Sequence, residues 1–352
     1  MTGSSGTAVW VLLGPHKGDN DQVIALAEAV GLPFRTIQLR YKWFAHLPAV
    51  CRSITASQLE DESRREIAAP WPSLVLGIGQ RSAPVARYIQ RASNGLARTV
   101  RLGDPMVSHR LFDLVITTTQ YAVRDAENVL RLPITITNQS ALRPTKAEQA
   151  WLACFAHPRR LLVIGGKTSL WRFDPSVVAD SLGVLKRRAA QEGGSVLAVT
   201  SPRTTPALVA AAQAAIGEQA VVTDDSPRYG ALLGGADEIH VTGDSVSMLS
   251  DAIASGKPVG LIPLEANALA KIIRWGGEVR GRQFRIRDLE KFWTDLRSRA
   301  LVGTIEEPRC GQLDMSPMDV AVAAVHRLLE ESVPAQVRQP SPAQPATGPA
   351  VA

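Results

Sequence analysis

The sequence predicts an α/β protein of two domains, each built on a parallel sheet, with the carboxyl edges of both sheets facing one cleft. Apolar strand segments alternate with helical segments along most of the chain, which is typical of parallel sheets covered by helices on both faces. The alternation restarts at Arg160 after a polar, Pro-containing stretch at residues 138–146. Because ligands of such proteins bind at the carboxyl ends of the strands, we expect the binding site in the cleft.

The first half supplies six apolar or β-branched segments that we expect to be strands. They are residues 8–13, 36–39, 73–79, 99–102, 114–117 and 133–137. Helices are expected at residues 21–30 and 83–91, whereas residues 40–69 have no clear pattern.

The second half repeats the pattern of strand and helix. Strands are expected at residues 160–164, 195–200, 220–223, 237–241 and 259–262. Helices are expected at residues 176–192, 205–216, 229–234 and 248–255, and helical spacing of apolar residues recurs at 289–296 and 320–328.

These patterns divide the 352 residues into four segments. Residues 1–6 are expected to be a flexible N-terminus, 7–145 the first domain and 146–331 the second domain. Residues 332–352 form a tail rich in Pro, Ala and Gln without a burial pattern, so we expect this tail to be disordered.

Composition excludes several classes of protein. With 39 Lys and Arg against 33 Asp and Glu, the net charge of +6 favours anionic ligands, but no motif for nucleic-acid binding accompanies it. Cys51, Cys154 and Cys310 lack the spacing of a disulfide framework or a zinc site. The apolar N-terminal run is too short for a signal sequence or a membrane span. We therefore expect a cytoplasmic protein without a metal or a covalently bound cofactor.

Residues 242–265 carry the strongest functional signal, because they read as strand, polar turn, short helix and second strand. Ser247 is expected to cap the helix, Gly256 to end it, and Pro258 to prevent its continuation. The unpaired N–H groups at the start of such a helix can bind a phosphate group. A purely structural cap explains Ser247 equally well.

The loop after the first strand contains His16 and Asp19. A histidine titrates near neutral pH and a carboxylate can orient it, so the two could remove a proton from a substrate. Alternatively, Asp19 or Asn20 caps the following helix and His16 is a solvated loop residue.

Three further turns carry groups suited to anions. Gly165, Gly166 and Lys167 offer two glycines and a cation for a pyrophosphate, although they could form a flexible turn only. The segment GIGQRS, which ends in Arg81 and Ser82, partly matches the dinucleotide fingerprint but lacks its last glycine. Asp104 lies in another polar turn of the first domain.

Two stretches mix cations with aromatic side chains or repeat arginine, at residues 40–44 and 280–287. They motivate the hypothesis of weak contact with an anionic surface at the inner face of a membrane. The competing explanation is that the aromatic side chains are half-buried in a core.

Four segments in the same order resemble bacterial members of the "elongated mitochondria" family of mitochondrial fission proteins. They are GPHKGDNDQ, GIGQRS, LGDP followed by FDLVI, and TGDSVSMLSDAIASGKPV. The resemblance implies two Rossmann-like domains arranged as in type-B glycosyltransferases. It also makes SDAIASG similar to a segment of lipid-linked N-acetylglucosaminyl transferases, which places Asp251 at the ribose hydroxyls. By the same resemblance, Ser247 and Met248 would offer N–H groups to the pyrophosphate and His16 would lie near the acceptor. Ser245, in the turn before the helix, is a further candidate for nucleotide binding.

Three functions follow as hypotheses. The first is an inverting, metal-independent glycosyltransferase that uses a nucleotide-diphosphate sugar, with His16 or Asp19 as the base and Arg81, Ser82 and Asp104 on the acceptor side. The second is a non-catalytic scaffold or adaptor related to fission proteins, and the third is an epimerase or other dinucleotide enzyme. The sequence does not identify the nucleotide base, the sugar or the acceptor, and it does not determine the oligomeric state.

Overall fold

The computed structural model describes residues 8–42, 59–168, 170–271 and 287–331. Several expectations concern residues outside these ranges. They include the flexible N-terminus 1–6, Trp43 and Phe44 of the 40–44 stretch, most of the basic stretch 280–287 and the tail 332–352.

The first half of the chain forms a six-stranded sheet in which all neighbouring strands are parallel. Its strands are β1 (Val9–Leu13), β2 (Phe34–Gln38), β3 (Leu74–Ile78), β4 (Arg98–Leu102), β5 (Leu114–Thr117) and β6 (Val129–Arg131). Their order in the sheet is β2-β1-β3-β4-β5-β6. Connections therefore leave β1 and β3 in opposite directions, which opens a crevice between these two strands at their carboxyl ends.

Helices cover both faces of this sheet because successive residues of a strand point to opposite faces. The helices of this half are α1 (Lys17–Val30), α2 (Asp61–Glu66) and α3 (Ser82–Ala92). Val9 and Val11 of β1 pack in the same core cluster as Leu26 of α1. Trp10 belongs to the opposite cluster with Ile89 of α3.

The second half forms a five-stranded parallel sheet and a small antiparallel pair. Its strands are β7 (Arg159–Ile164), β8 (Trp171–Arg172), β9 (Ser195–Thr200), β10 (Val221–Val222), β11 (Glu238–Thr242), β12 (Val259–Ile262) and β13 (Glu265–Ala266). The five-stranded sheet has the order β10-β9-β7-β11-β12, and β8 pairs with β13. A second crevice therefore opens between β7 and β11.

Seven helices whose full bounds lie within the described residues follow the first domain. They are α4 (Lys146–Leu152), α5 (Pro175–Glu192), α6 (Pro206–Ile216), α7 (Tyr229–Gly235), α8 (Val246–Ala254), α9 (Leu289–Ser298) and α10 (Pro317–Glu330). A proline in the first turn marks the start of α5, α6 and α10, where its missing N–H has no cost and its fixed φ fits the helix.

The last helix, α10, returns to the first sheet. Ala321 and Val325 are fully buried in the core cluster that also contains Leu26. The imidazole Nε2 of His326 is 3.0 Å from the carbonyl oxygen of Val30, at the end of α1. The chain thus crosses from the second sheet back to the first.

The expected strand at residues 133–137 is wrong, since the sixth strand of the first sheet is Val129–Arg131 and the residues that follow are irregular. Proline at position 133 has no N–H to donate to a sheet. The apolar alternation instead reflects a crossing between domains: Ile136 is buried in the first domain and Ile134 in the second. There the Thr135 N–H donates to the Ser250 hydroxyl of α8 at 3.0 Å.

The expected cap of α8 is also corrected. The helix begins at Val246, and the Ser245 hydroxyl, not that of Ser247, accepts the N–H of Met248 at 3.5 Å. Ser247 consequently lies in the first turn, so its own N–H is one of those without a partner inside the helix.

Candidate functional site

Two adjoining cavities lie between the carboxyl edges of the sheets. Their volumes are about 380 Å³ and about 660 Å³, and both are lined by residues of the two domains. Gly18 and Gln22 of α1, Ile136 and Ser247 line both cavities, so they mark the boundary where the two meet. We refer to the smaller as the first cavity and to the larger as the second cavity.

One wall of the first cavity is the loop that joins β1 to α1. The amide of Asn20 holds this loop: its Oδ1 accepts the Gly14 N–H at 2.9 Å and its Nδ2 donates to the Gly14 carbonyl at 2.9 Å. This pair of bonds lets α1 begin at Lys17, four residues before the expected start. His16 and Asp19 both line the first cavity, as the cleft hypothesis requires.

Burial raises the pKa of Asp19 above its usual range, while the charges of His16 and Arg287 oppose this rise. Burial also raises the pKa of Tyr121, whose ring lies on the same cavity near Arg287, Asp19 and Asp104. The first cavity is therefore lined by an imidazole, two carboxyl groups and a phenol, which can transfer protons, and by two guanidinium groups.

The opposite wall belongs to the second domain. Ser245, Val246 and Ser247 bring the N-terminus of α8 to the first cavity, and Arg203 lies on the same wall. The buried carboxylate of Asp244 supports this wall: it accepts the Gly166 N–H at 2.9 Å and the Thr242 hydroxyl at 2.7 Å. Arg203 Nη2 lies 3.5 Å from the same carboxylate, and its side chain is 52% exposed. The wall therefore presents positive charge and N–H groups to the cleft.

The segment of Gly165, Gly166 and Lys167 lies behind this wall and does not line either cavity. A Cβ atom at Gly165 would collide with the Asp244 carboxylate, and one at Gly166 would collide with the Arg203 carbonyl group. The two glycines thus allow this close packing of backbone and side chain. Lys167 is exposed, and its N–H donates to the Arg203 carbonyl at 3.3 Å.

The second cavity contains Met248 and Asp251 of α8, with Tyr229 of α7 beside them. Burial, followed by the charge of Asp21 on α1, raises the pKa of Asp251 to about 7. Asp21 lines the same cavity from the first domain. A carboxyl group from each domain therefore faces this part of the cleft.

The structure separates the residues expected on the acceptor side. Asp104 lines the first cavity, where its carboxylate accepts the Met106 N–H at 2.7 Å. Ser82 is buried at the start of α3, donates to the Ile78 carbonyl at 2.6 Å and accepts from Arg101 at 2.9 Å. Neither Ser82 nor Arg81 lines the two cavities.

Sequence reasoning missed several residues of the cavities and their support. They are Asp21, Tyr121, Arg203, Asp244 and Arg287. Arg203 follows the end of β9 and Asp244 the end of β11, so their positions after parallel strands were the available signal. Asp21 was not identified as a site residue because it was expected to be the first residue of α1.

Two further properties hold for residues 8–42, 59–168, 170–271 and 287–331. Within these ranges, no helix is long and apolar enough to cross a membrane. The same residues contain no group of three or more His, Cys, Asp and Glu side chains that could hold a metal ion.

Known proteins resemble this chain at the level of sequence and of fold. An uncharacterised protein of Rickettsia prowazekii (strain Madrid E) is 22% identical over 291 residues, covering 71% of this chain and 82% of the relative. A solved structure of a candidate UDP-N-acetylglucosamine 2-epimerase from Listeria monocytogenes has a TM-score of 0.51 and 11% identity, and the match covers 92% of this chain and 96% of that chain. The UDP-GlcNAc 2-epimerase of Neisseria meningitidis bound to UDP-GlcNAc has a TM-score of 0.49 and 10% identity. This match covers 92% of this chain and 99% of that chain.

The Listeria structure shows the fold alone at this identity, and it confirms the expected class of two Rossmann-like domains arranged as in type-B glycosyltransferases. The family model described as mitochondrial fission ELM1 matches residues 17–305. That range includes most of the segments on which the family resemblance depends, from the loop after β1 to α8. The chain therefore belongs to the mitochondrial fission ELM1 family.

Proposed function

We propose that this protein binds a nucleotide-diphosphate sugar in the cleft and transfers the sugar to an acceptor with inversion and without a metal ion. One observation carries the proposal. In the first cavity, His16 and Asp19 of one domain face Arg203 and the N-terminus of α8 from the other. A proton acceptor thus lies across a small cavity from a group of anion-binding donors.

The second domain would hold the diphosphate. The N–H group of Ser247 belongs to the first turn of α8, where it lacks a partner within the helix and the helix dipole favours negative charge. The Met248 N–H is already accepted by the Ser245 hydroxyl. Arg203 adds a charged guanidinium on the same wall, with about half of its side chain exposed. The exposed Lys167 stands behind them and adds positive charge without lining the cavity.

The first domain would supply the base. His16 accepts the proton of an acceptor hydroxyl, whose oxygen forms a bond to the anomeric carbon of the sugar. The bond from that carbon to the diphosphate oxygen breaks, and the diphosphate leaves with the electron pair. Asp19 stabilises the imidazolium by its charge, since the two groups interact at this wall. Attack from the first domain on a sugar held by the second displaces the diphosphate from the opposite face, which inverts the anomeric centre.

Ligand-dependent stability tests the binding step. A ligand present at about 100 times its dissociation constant stabilises the folded state by roughly 2.7 kcal/mol, so diphosphates of uridine, guanosine, cytidine or adenosine should raise the melting temperature of the full chain. Nucleosides without phosphate should do much less. Asp251→Ala should remove the advantage of a ribonucleotide over free pyrophosphate, whereas Asp180→Ala, on the exposed face of α5, should leave it unchanged.

Absence of any shift at millimolar concentration would show that the cleft is not a donor site, and the adaptor hypothesis would take its place. Product analysis of nucleotide sugars incubated with the protein then separates the catalytic hypotheses. Transfer or hydrolysis releases the nucleoside diphosphate, whereas an epimerase interconverts the sugar without a net release of diphosphate.

A further inference from the structure

The second cavity has an unusual charge. Its charged lining residues are all carboxyl groups, namely Asp21, Asp224, Asp225 and Asp251. Among the described residues, no Lys, Arg or His lines it. Arg228 adjoins it but is bound by Glu148 at 2.8 Å through both its Nε and its Nη2. This part of the cleft therefore accepts hydrogen bonds and repels anions, in contrast to the first cavity with Arg203 and Arg287.

The second cavity extends along the cleft, away from its boundary with the first cavity. Ser247 lies at the boundary with the first cavity, and Asp251 follows it four residues later, about 6 Å along α8. Asp224 and Asp225 follow β10, which is three strands away from β11, or about 14 Å at a spacing of about 4.8 Å. A nucleotide with its diphosphate at Ser247 would therefore pass Asp251 with its ribose and extend its base towards Asp224 and Asp225.

An ionised carboxylate only accepts hydrogen bonds, so the far wall discriminates among bases. Guanine presents two adjacent donors, N1–H and the 2-amino group, which match the two oxygens of one carboxylate. Uracil presents one N–H between two carbonyl oxygens, and these oxygens would face negative charge. Adenine and cytosine each present an amino group beside an acceptor nitrogen, which would also meet a carboxylate oxygen unfavourably.

We propose that the second cavity selects guanine, so that the donor is a guanosine-diphosphate sugar. This inference rests on the proposed function. Asp224 keeps acceptor capacity, because within the described part of the chain its side chain accepts one hydrogen bond, from the Ser226 N–H at 3.2 Å. Asp225 lines the cavity beside it. Leu142, Leu233 and Pro202 supply apolar surface for a purine ring, and a volume of about 660 Å³ leaves room for a nucleoside.

Tyr229 supports a ligand at this place. Its hydroxyl is buried and has no hydrogen-bond partner among the described residues, although it lies close enough to Asp251 to interact with its charge. A buried hydroxyl without a partner is uncommon in proteins. A bound ribose whose hydroxyl accepts a hydrogen bond from Tyr229 would supply the missing partner.

Calorimetric titration of the full chain with guanosine, inosine and uridine diphosphates tests the proposal. Inosine diphosphate keeps N1–H but lacks the 2-amino group. We expect the dissociation constant to be at least tenfold lower for guanosine diphosphate than for uridine diphosphate, with inosine diphosphate between them. The double substitution Asp224→Asn and Asp225→Asn should bring the three values within about threefold of each other, because an amide offers a donor as well as an acceptor. Asp180→Asn is the matched control and should keep the order.

The outcomes separate this inference from the proposed function. Tightest binding of uridine diphosphate, or a guanine preference that survives the double substitution, would overturn the guanine assignment and leave a nucleotide site in the cleft. Failure of every nucleoside diphosphate to bind would overturn the nucleotide site and the guanine assignment together.

Discussion

Asp251 links the cleft to the pH dependence of folding. Its pKa in the folded state is about 7, against an ordinary value of 3.8, so the folded chain binds a proton that the unfolded chain releases. The stability that this proton provides is complete below about pH 4 and is lost as the pH rises through about 7. The cause is burial first and the charge of Asp21 second.

Asp251→Asn should therefore leave stability nearly unchanged at pH 4 and raise it by about 1–4 kcal/mol at pH 8, because the amide stays neutral at both. Urea unfolding at the two pH values measures this difference. Asp180→Asn, at an exposed position, should show no such pH dependence. An equal effect of Asp251→Asn at both pH values would contradict the account.

His16 is expected to act in the reaction and not in nucleotide binding. It lies at the start of α1 on the first cavity, across from the wall formed by α8 and Arg203. His16→Ala should keep the thermal shift caused by a nucleoside diphosphate and lower the rate of transfer or hydrolysis by about 10²–10⁴, the usual loss when a general base is removed. Added imidazole should restore part of the rate. An unchanged rate would remove His16 from the mechanism.

At the scale of elements, α10 contributes to the core of the first domain although it ends the described chain. Val325 is fully buried against the cluster that contains Val23 and Leu26. Val325→Ala removes two methyl groups and leaves space behind, so it should cost about 1–3 kcal/mol of unfolding free energy. Ala323→Ser, on the exposed face of the same helix, should cost less than about 0.5 kcal/mol. Equal effects of the two would mean that α10 does not pack on the first sheet in solution.

At the scale of the whole molecule, a ligand in the cleft should protect both domains at once. The first cavity is lined by residues of the β1–α1 loop and of the α8 N-terminus, which belong to different sheets. Hydrogen exchange with saturating nucleotide sugar should therefore slow at residues 14–20 and at residues 244–248. A mononucleotide should protect mainly the second of these segments. Protection of the second domain alone by the nucleotide sugar would show that the sugar does not reach His16.

Membrane contact is a separate property of the whole molecule and stays a hypothesis, since most of the residues that motivate it lie outside the described ranges. The described parts of the two stretches are residues 40–42 and Arg287, and the latter donates to the Gln120 side chain at 2.8 Å beside the first cavity. This arginine therefore supports the cleft. Cosedimentation with anionic vesicles at low salt is the measurement that would establish or remove the remaining idea.

The sequence by itself determined the family, the two parallel α/β domains and the loops that end at the cleft. Hydrophobic periodicity and the positions of glycine and proline act over a few residues, so strands such as Leu114–Thr117 and Val259–Ile262 matched their expected bounds. The same local signals placed His16, Ser247 and Asp251 after strands, and therefore at the carboxyl edges of the sheets.

Only the tertiary structure decided which of these residues meet. Gly165 and Gly166 looked like a phosphate loop, but they pack against Asp244 and Arg203, which are distant in the sequence. The apolar alternation of residues 133–137 looked like a strand because burial gives the same pattern in a segment that crosses between two cores. Likewise, the raised pKa of Asp251 depends first on its burial and second on the charge of Asp21 from the other domain. The burial of a side chain and the charges around it depend on contacts between distant segments, so a local sequence pattern does not predict them.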